Sequence, residues 1–122
     1  MVEEIDSDEL KAKFDKGEKF RLIDVRESDE HLAGHIPNSE NIPLSSFKEN
    51  YSKSLKDQNE KLVLTCRSGG RSMAAGKFLE SRGFKDLTNH EGGATEWDQN
   101  EYPLTGEGKV IPSSLRHMPD LT

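Results

Sequence analysis

Strands alternating with helices along 122 residues predict an α/β fold, a central parallel sheet with helices packed on both faces. Three observations carry that prediction. Phe20-Arg21-Leu22-Ile23-Asp24-Val25 and Leu62-Val63-Leu64-Thr65 are short, apolar and partly β-branched, as buried parallel strands are. Polar helix starts and glycine stops punctuate the chain between and around them. The length suits one compact domain and not two.

In chain order, Ser7-Asp8-Glu9 opens a helix on which Leu10 and Phe14 share a face, and Gly17 closes it. The strand at 20–25 follows. Ser28-Asp29-Glu30 opens a shorter helix ending at Gly34. After the strand at 62–65 comes a loop, and then a helix from Ser72 with Ala74, Ala75, Phe78 and Leu79 on one side. Gly83 is its stop. Asp86-Leu87-Thr88 reads as a further short strand, and Gly92-Gly93 leads into a helix holding Trp97, a core residue. Residues 1–105 form the domain. Residues 106–122, with Gly106, Gly108, Pro112 and Pro119 and no clear period, read as a tail that is either draped on the surface or mobile.

Composition narrows the function. Leu, Ile, Val and Phe make 26 of 122 residues, close to the ~20% floor below which chains tend to stay disordered. No run of about 18 apolar residues exists, which excludes a membrane-spanning helix. Met1-Val2-Glu3-Glu4-Ile5-Asp6 lacks the basic end and apolar stretch of a secretory signal, so a cytoplasmic location is expected. The single cysteine, Cys66, rules out an intramolecular disulfide and any zinc site needing two cysteines.

The net charge of −6 belongs to the first half: residues 1–60 carry 15 acidic and 9 basic side chains, and residues 61–122 carry 8 of each. From Cys66 to Leu79 there are Arg67, Arg71 and Lys77 and no carboxylate. Such a small cationic island suits a small anionic ligand, whereas nucleic acid calls for a broader basic face.

That island opens with Cys66-Arg67-Ser68-Gly69-Gly70-Arg71-Ser72, between a predicted strand and a predicted helix. The strand delivers Cys66 to the carboxyl edge of the sheet, where α/β folds bind ligands. Two glycines let the backbone curl so that successive amides point inward as an anion nest. The following helix adds its positive end, and Arg67 and Arg71 add full charge. Each favours thiolate over thiol, and such settings lower a cysteine pKa from ~8.5 to ~3.5–7.5. A cradled thiolate attacks phosphorus in phosphatases that place five residues between cysteine and arginine, or a sulfane sulfur in sulfur transfer. Four residues separate Cys66 from Arg71. The smaller ring suits a single terminal sulfur better than a tetrahedral phosphate, which disfavours a phosphatase or arsenate reductase.

The sequence resembles a single-domain rhodanese, a sulfurtransferase, over roughly Ile5 to Leu104. Leu22-Ile23-Asp24-Val25-Arg26-Glu27 resembles the family's first signature, and Gly34-His35-Ile36-Pro37 with Asn41-Ile42-Pro43 its second. The Cys66 loop resembles the active-site loop. Gly83-Phe84, Gly92-Gly93, Trp97 and Tyr102-Pro103-Leu104 resemble the closing signature. Asn38-Ser39 departs from the Gly-Ala often found there, a change expected to alter a turn and leave the chemistry alone. The resemblance implies the family's three-layer fold and a two-step reaction. Cys66 takes a sulfur from a donor such as thiosulfate as a persulfide, then yields it to cyanide or a thiol, on a small molecule or on a protein. It implies no metal and no organic cofactor. Arg67, Ser68, Gly69, Gly70, Arg71 and Ser72 are carried over as substrate-binding. A sulfur carrier that hands its persulfide directly to a partner is the alternative.

Blander roles stand beside these. Cys66 could be a buried filler, Arg71 could serve its helix, Arg67 could be a solvent-facing charge, and Ser68 and Ser72 could supply only backbone donors and a cap. Asp24 and Arg26 read as a charge pair at the sheet edge. His31 and His35 have the i, i+4 spacing of a metal pair, but Gly34 and Pro37 end the helix and no third ligand is near in sequence. His90 and His117 carry no pattern.

Overall fold

The computed structural model describes residues 1–106 and 109–111, the last three by their backbone. The elements are β1 (Val2–Ile5), α1 (Ser7–Asp15), β2 (Arg21–Asp24), α2 (Ser28–Ala33), β3 (Ser39–Asn41), α3 (Phe47–Ser54), β4 (Leu62–Thr65), α4 (Gly70–Ser81), β5 (Leu87–His90), α5 (Gly93–Gln99), β6 (Leu104–Gly106) and β7 (Lys109–Ile111). Strands β1 to β5 form one parallel sheet in the order β1-β5-β4-β2-β3, and β6 and β7 pair antiparallel.

The two-residue period of the strands builds a core on each face. Leu22 and Val63 turn toward one side, where they pack with Leu10 of α1 and Trp97 of α5. Ile23, Leu62 and Leu64 turn to the other, against Phe47 of α3 and Ala75 and Leu79 of α4. The same alternation carries past the end of β4. Cys66 therefore falls on the face of Leu62 and Leu64, beneath the start of α4. The predicted three layers are thus present.

Differences from the sequence reading have local causes. Helix α1 is capped by Asp6, which accepts from the Glu9 amide at 2.8 Å while Glu9 answers at the Asp6 amide; Ser7, expected to open the helix, is buried instead. Helix α4 begins at Gly70, two residues before Ser72. Strands β1 and β3 went unpredicted because both are polar edge strands, Glu3, Glu4 and Glu40 facing solvent as edges require. Helix α3 also went unpredicted, although Phe47, Tyr51 and Leu55 recur every four residues. Asn38 sits at φ +69°, a left-handed conformation that asparagine tolerates better than most side chains. Of the predicted tail, Gly106 closes β6 and Lys109–Ile111 return along it; residues 107–108 and 112–122 lie outside the described residues.

Trp97 is core, as expected: 1% exposed, its indole N–H donates to the Pro103 carbonyl at 2.8 Å. Among the described residues no helix is long and apolar enough to cross a membrane.

Candidate active site around Cys66

Strand β4 ends at Thr65, and the next seven residues, Cys66 to Ser72, form a loop around the Cys66 sulfur. Cys66 is 1% exposed. Its Sγ accepts from the Gly69 amide at 3.1 Å and lies 3.4 Å from the Ser72 hydroxyl. Burial pushes the thiol pKa up. Donation from the Ser72 hydroxyl and from the amides of Ser72, Ser68 and Gly69 outweighs it, leaving the pKa below the ordinary value. The N-terminus of the twelve-residue α4 adds its positive end on the same side.

The loop is held in that shape from outside. Gly69 stands at φ +92°, and a Cβ there would collide with the backbone carbonyl of Glu91. Gly93, at φ +62°, packs so closely on the carbonyls of Cys66 and Arg67 that it too admits no side chain. Beside it the amides of Ala94 and Thr95 donate to those same carbonyls at 2.8 and 3.0 Å. The Gly69 carbonyl receives Asn89 Nδ2 at 3.1 Å, and Asn89 Oδ1 accepts from Ser72 Oγ at 2.5 Å. The start of α5 and the end of β5 thus clamp the cysteine loop.

The residues singled out from sequence separate here. Cys66, Ser68, Gly69 and Ser72 are brought together around the sulfur, the first through its side chain and Ser68 and Gly69 through their amides. Gly70 is exposed at the start of α4, with open space where a Cβ would stand. Arg67 is exposed and lines a cleft of about 460 Å³ with Arg26, Glu30, Gly34, Thr95 and Asp98. Arg71 points into a two-pronged pair with Glu30, at 2.8 and 3.0 Å.

Beside the loop, Asp24 is buried and accepts from Arg26 Nη2 and from His31 Nδ1, each at 2.9 Å. Arg26 also reaches the Gly34 carbonyl at 2.7 Å. The expected charge pair therefore ties the end of β2 to the turn after α2. Burial pushes the Asp24 carboxyl up; the His31 and Arg26 hydrogen bonds outweigh this and hold it below the usual carboxylate value. His31 and His35 stack with ring centroids 3.8 Å apart, His35 Nδ1 on the His31 carbonyl. Among the described residues no three His, Cys, Asp or Glu side chains are placed to hold a metal ion.

Sequence reasoning missed Glu30, Asn89 and His90. Only the fold brings the first two to the loop. His90 is fully buried at the end of β5, between Ser7 Oγ at 2.7 Å and Thr65 Oγ1 at 2.9 Å. Two hydroxyls can each give or take a proton, so they satisfy a neutral imidazole in either tautomer.

The sequence model described as "Rhodanese-like domain" matches residues 6–100. The chain belongs to the rhodanese-like domain family. A protein of Allochromatium vinosum named "Sulfurtransferase" is 33% identical over 104 residues, covering 85% of this chain and 95% of that one. The crystal structure of a rhodanese-related protein from Thermoplasma volcanium superposes with a TM-score of 0.74 at 30% identity, covering 87% of this chain and all of that one. The human single-domain sulfurtransferase TSTD1 gives 0.72 at 26% identity, covering 83% and 99%. These likenesses agree with the parallel sheet of this rhodanese-like domain.

Two predictions arise from the clamp. In Ser72→Ala the Cys66 thiolate loses a hydrogen-bond donor, so its ultraviolet absorbance should develop at higher pH than in the wild type; an unmoved midpoint would show that the hydroxyl does not hold the charge. The second concerns acid stability. Burial lowers the His90 pKa from 6.5 to about 4. Between those values the unfolded chain takes a proton that the folded one refuses. Stability therefore falls as pH drops from about 6.5 to about 4, by about 3 kcal/mol from this group. In His90→Gln, the fall in melting temperature between pH 7 and pH 4.5 should be smaller than in the wild type; an equal fall would assign it to the carboxylates alone.

Proposed function

We propose that this rhodanese-like protein moves a sulfane sulfur from an anionic donor such as thiosulfate to a thiophilic acceptor, cyanide or a thiol, through a persulfide on Cys66. The observation that carries the reading is the ring of hydrogen-bond donors around one buried sulfur whose pKa they lower.

In the first step a lone pair of the Cys66 thiolate attacks the outer sulfur of thiosulfate. The donor's S–S bond breaks, sulfite leaves with its electron pair, and Cys66 carries a terminal sulfur with one negative charge. In the second step the acceptor attacks that terminal sulfur, and the thiolate leaves with the pair. No proton or electron need be supplied. The amides of Ser68 and Gly69 and the Ser72 hydroxyl stabilise negative charge throughout, as an oxyanion hole does. Arg67 attracts the donor at the mouth of the cleft. We place the reaction in the cytoplasm, where a lone thiol stays reduced.

The test is intact-mass spectrometry after incubation with thiosulfate, then with cyanide or a thiol. Gain of one sulfur atom, then its loss to the acceptor, supports transfer. A persulfide that no small acceptor removes would support a carrier that needs a protein partner. No gain of sulfur would overturn both.

A further inference from the structure

We infer that Glu30 is a specificity determinant that biases the Cys66 site against dianionic sulfur donors and toward donors carrying a single negative charge beside the sulfane sulfur. The inference rests on the sulfur-transfer reading above.

Three arginines lie on or beside the Cys66 loop, and they differ in what they have left to offer. Arg26 is 8% exposed and committed to Asp24 and the Gly34 carbonyl. Arg71, in the first turn of α4 and next in the chain to Ser72, whose hydroxyl lies 3.4 Å from Cys66 Sγ, is committed to Glu30. Arg67 is exposed and forms no ion pair among the described residues.

Glu30 itself is well anchored. Its Oε1 accepts from the Glu27 amide at 3.0 Å, part of the reciprocal cap of α2, and both oxygens face Arg71. Arg71 holds the carboxyl down to about 2, so it is charged at every working pH. Two oxygens of a carboxylate on one guanidinium reproduce what two oxygens of a sulfonate would do there. The pair is about one-third exposed on each side, and Glu30 also lines the cleft that Arg67 lines.

The charge balance follows. Glu30 neutralises Arg71 and Asp24 neutralises Arg26, so of the three only Arg67 keeps an unpaired charge among the described residues, and it shares its cleft with the Asp98 carboxylate. Thiosulfate brings two negative charges toward a thiolate with one cation to compensate. An organic thiosulfonate or persulfide brings one charge at the reacting end, and Arg67 balances it. In either case the same S–S bond breaks and its electron pair leaves with the donor's remaining sulfur group.

The test is steady-state kinetics at low ionic strength with cyanide as acceptor, comparing thiosulfate with benzenethiosulfonate, which carries one charge. Glu30→Gln keeps the acceptor for the Glu27 amide and removes the charge. KM for thiosulfate should fall about fivefold, the scale of one exposed ion pair. KM for benzenethiosulfonate should change less than about twofold, with kcat nearly unchanged for both donors. Glu30→Asp, which keeps the charge, should retain most of the wild-type preference. Equal shifts for the two donors, or no shift, would each overturn the inference. If the wild type gains no sulfur from either donor, the sulfur-transfer reading itself fails. If it gains sulfur from both and Glu30→Gln leaves their KM ratio alone, only the role of Glu30 fails.

Discussion

Cys66→Ala is expected to gain no sulfur from thiosulfate and to lose cyanide turnover by at least about a thousandfold, because among the described residues no other thiol faces the ring of donors. The fold should survive. The lost sulfur is one small group in a layer that also holds Leu62, Leu64, Ala75 and Leu79, and its removal costs about 1 kcal/mol of packing. The alanine variant leaves the Gly69 amide facing a void. Cys66→Ser keeps an oxygen there and is the better structural control, since its hydroxyl accepts the same bond and is too weak a nucleophile to replace the thiolate. Both variants should melt within a few degrees of the wild type. Sulfur uptake by either folded variant, seen in the intact mass, would move the chemistry away from Cys66.

Gly69→Ala is expected to be severely damaging for a single added methyl. At φ +92° the added Cβ is strained in itself, and it lands on the Glu91 carbonyl, which is backbone and cannot rotate away. Left-handed strain and overpacking each cost about 1–3 kcal/mol, so a loss of about 3 kcal/mol or more is expected. Function should suffer beyond stability, because the Gly69 amide donates to Cys66 Sγ and its carbonyl anchors Asn89 and Ser72. Gly70→Ala is the internal comparison. Open space surrounds its Cβ position, and alanine at the start of α4 gains helix propensity worth up to about 1 kcal/mol. Thermal melts of the two variants, with sulfur uptake measured on each, check both halves. Equal melting temperatures would mean that the Glu91 contact does not constrain the loop.

The contrast between these neighbouring glycines shows how far the sequence could be read. Gly69-Gly70 announces a tight turn, and nothing local says which of the two carries the positive φ. The answer comes from Glu91, 22 positions away in the chain and adjacent only because β4 and β5 pair. Arg71 is similar. A cation five positions after a cysteine suggests an anion site. That a carboxylate already fills it follows from α2 lying beside the loop, with Glu30 on the side that meets α4. His90 in the sequence, one histidine without a pattern, gave no sign of a neutral ring between two hydroxyls brought together from α1 and β4.

From the sequence alone came the layered α/β plan, the placement of Cys66 at the end of a buried strand, and the loop as the candidate seat of chemistry. These are legible because periodicity, turn residues and strand-to-helix order act over a few neighbouring residues. Only the tertiary structure decided which loop groups touch the sulfur, which arginine is free and which glycines are obligatory. Those depend on groups 17 to 41 positions apart meeting at one sheet edge, and a carboxylate or carbonyl at close range outweighs the intrinsic tendency of the residue it meets.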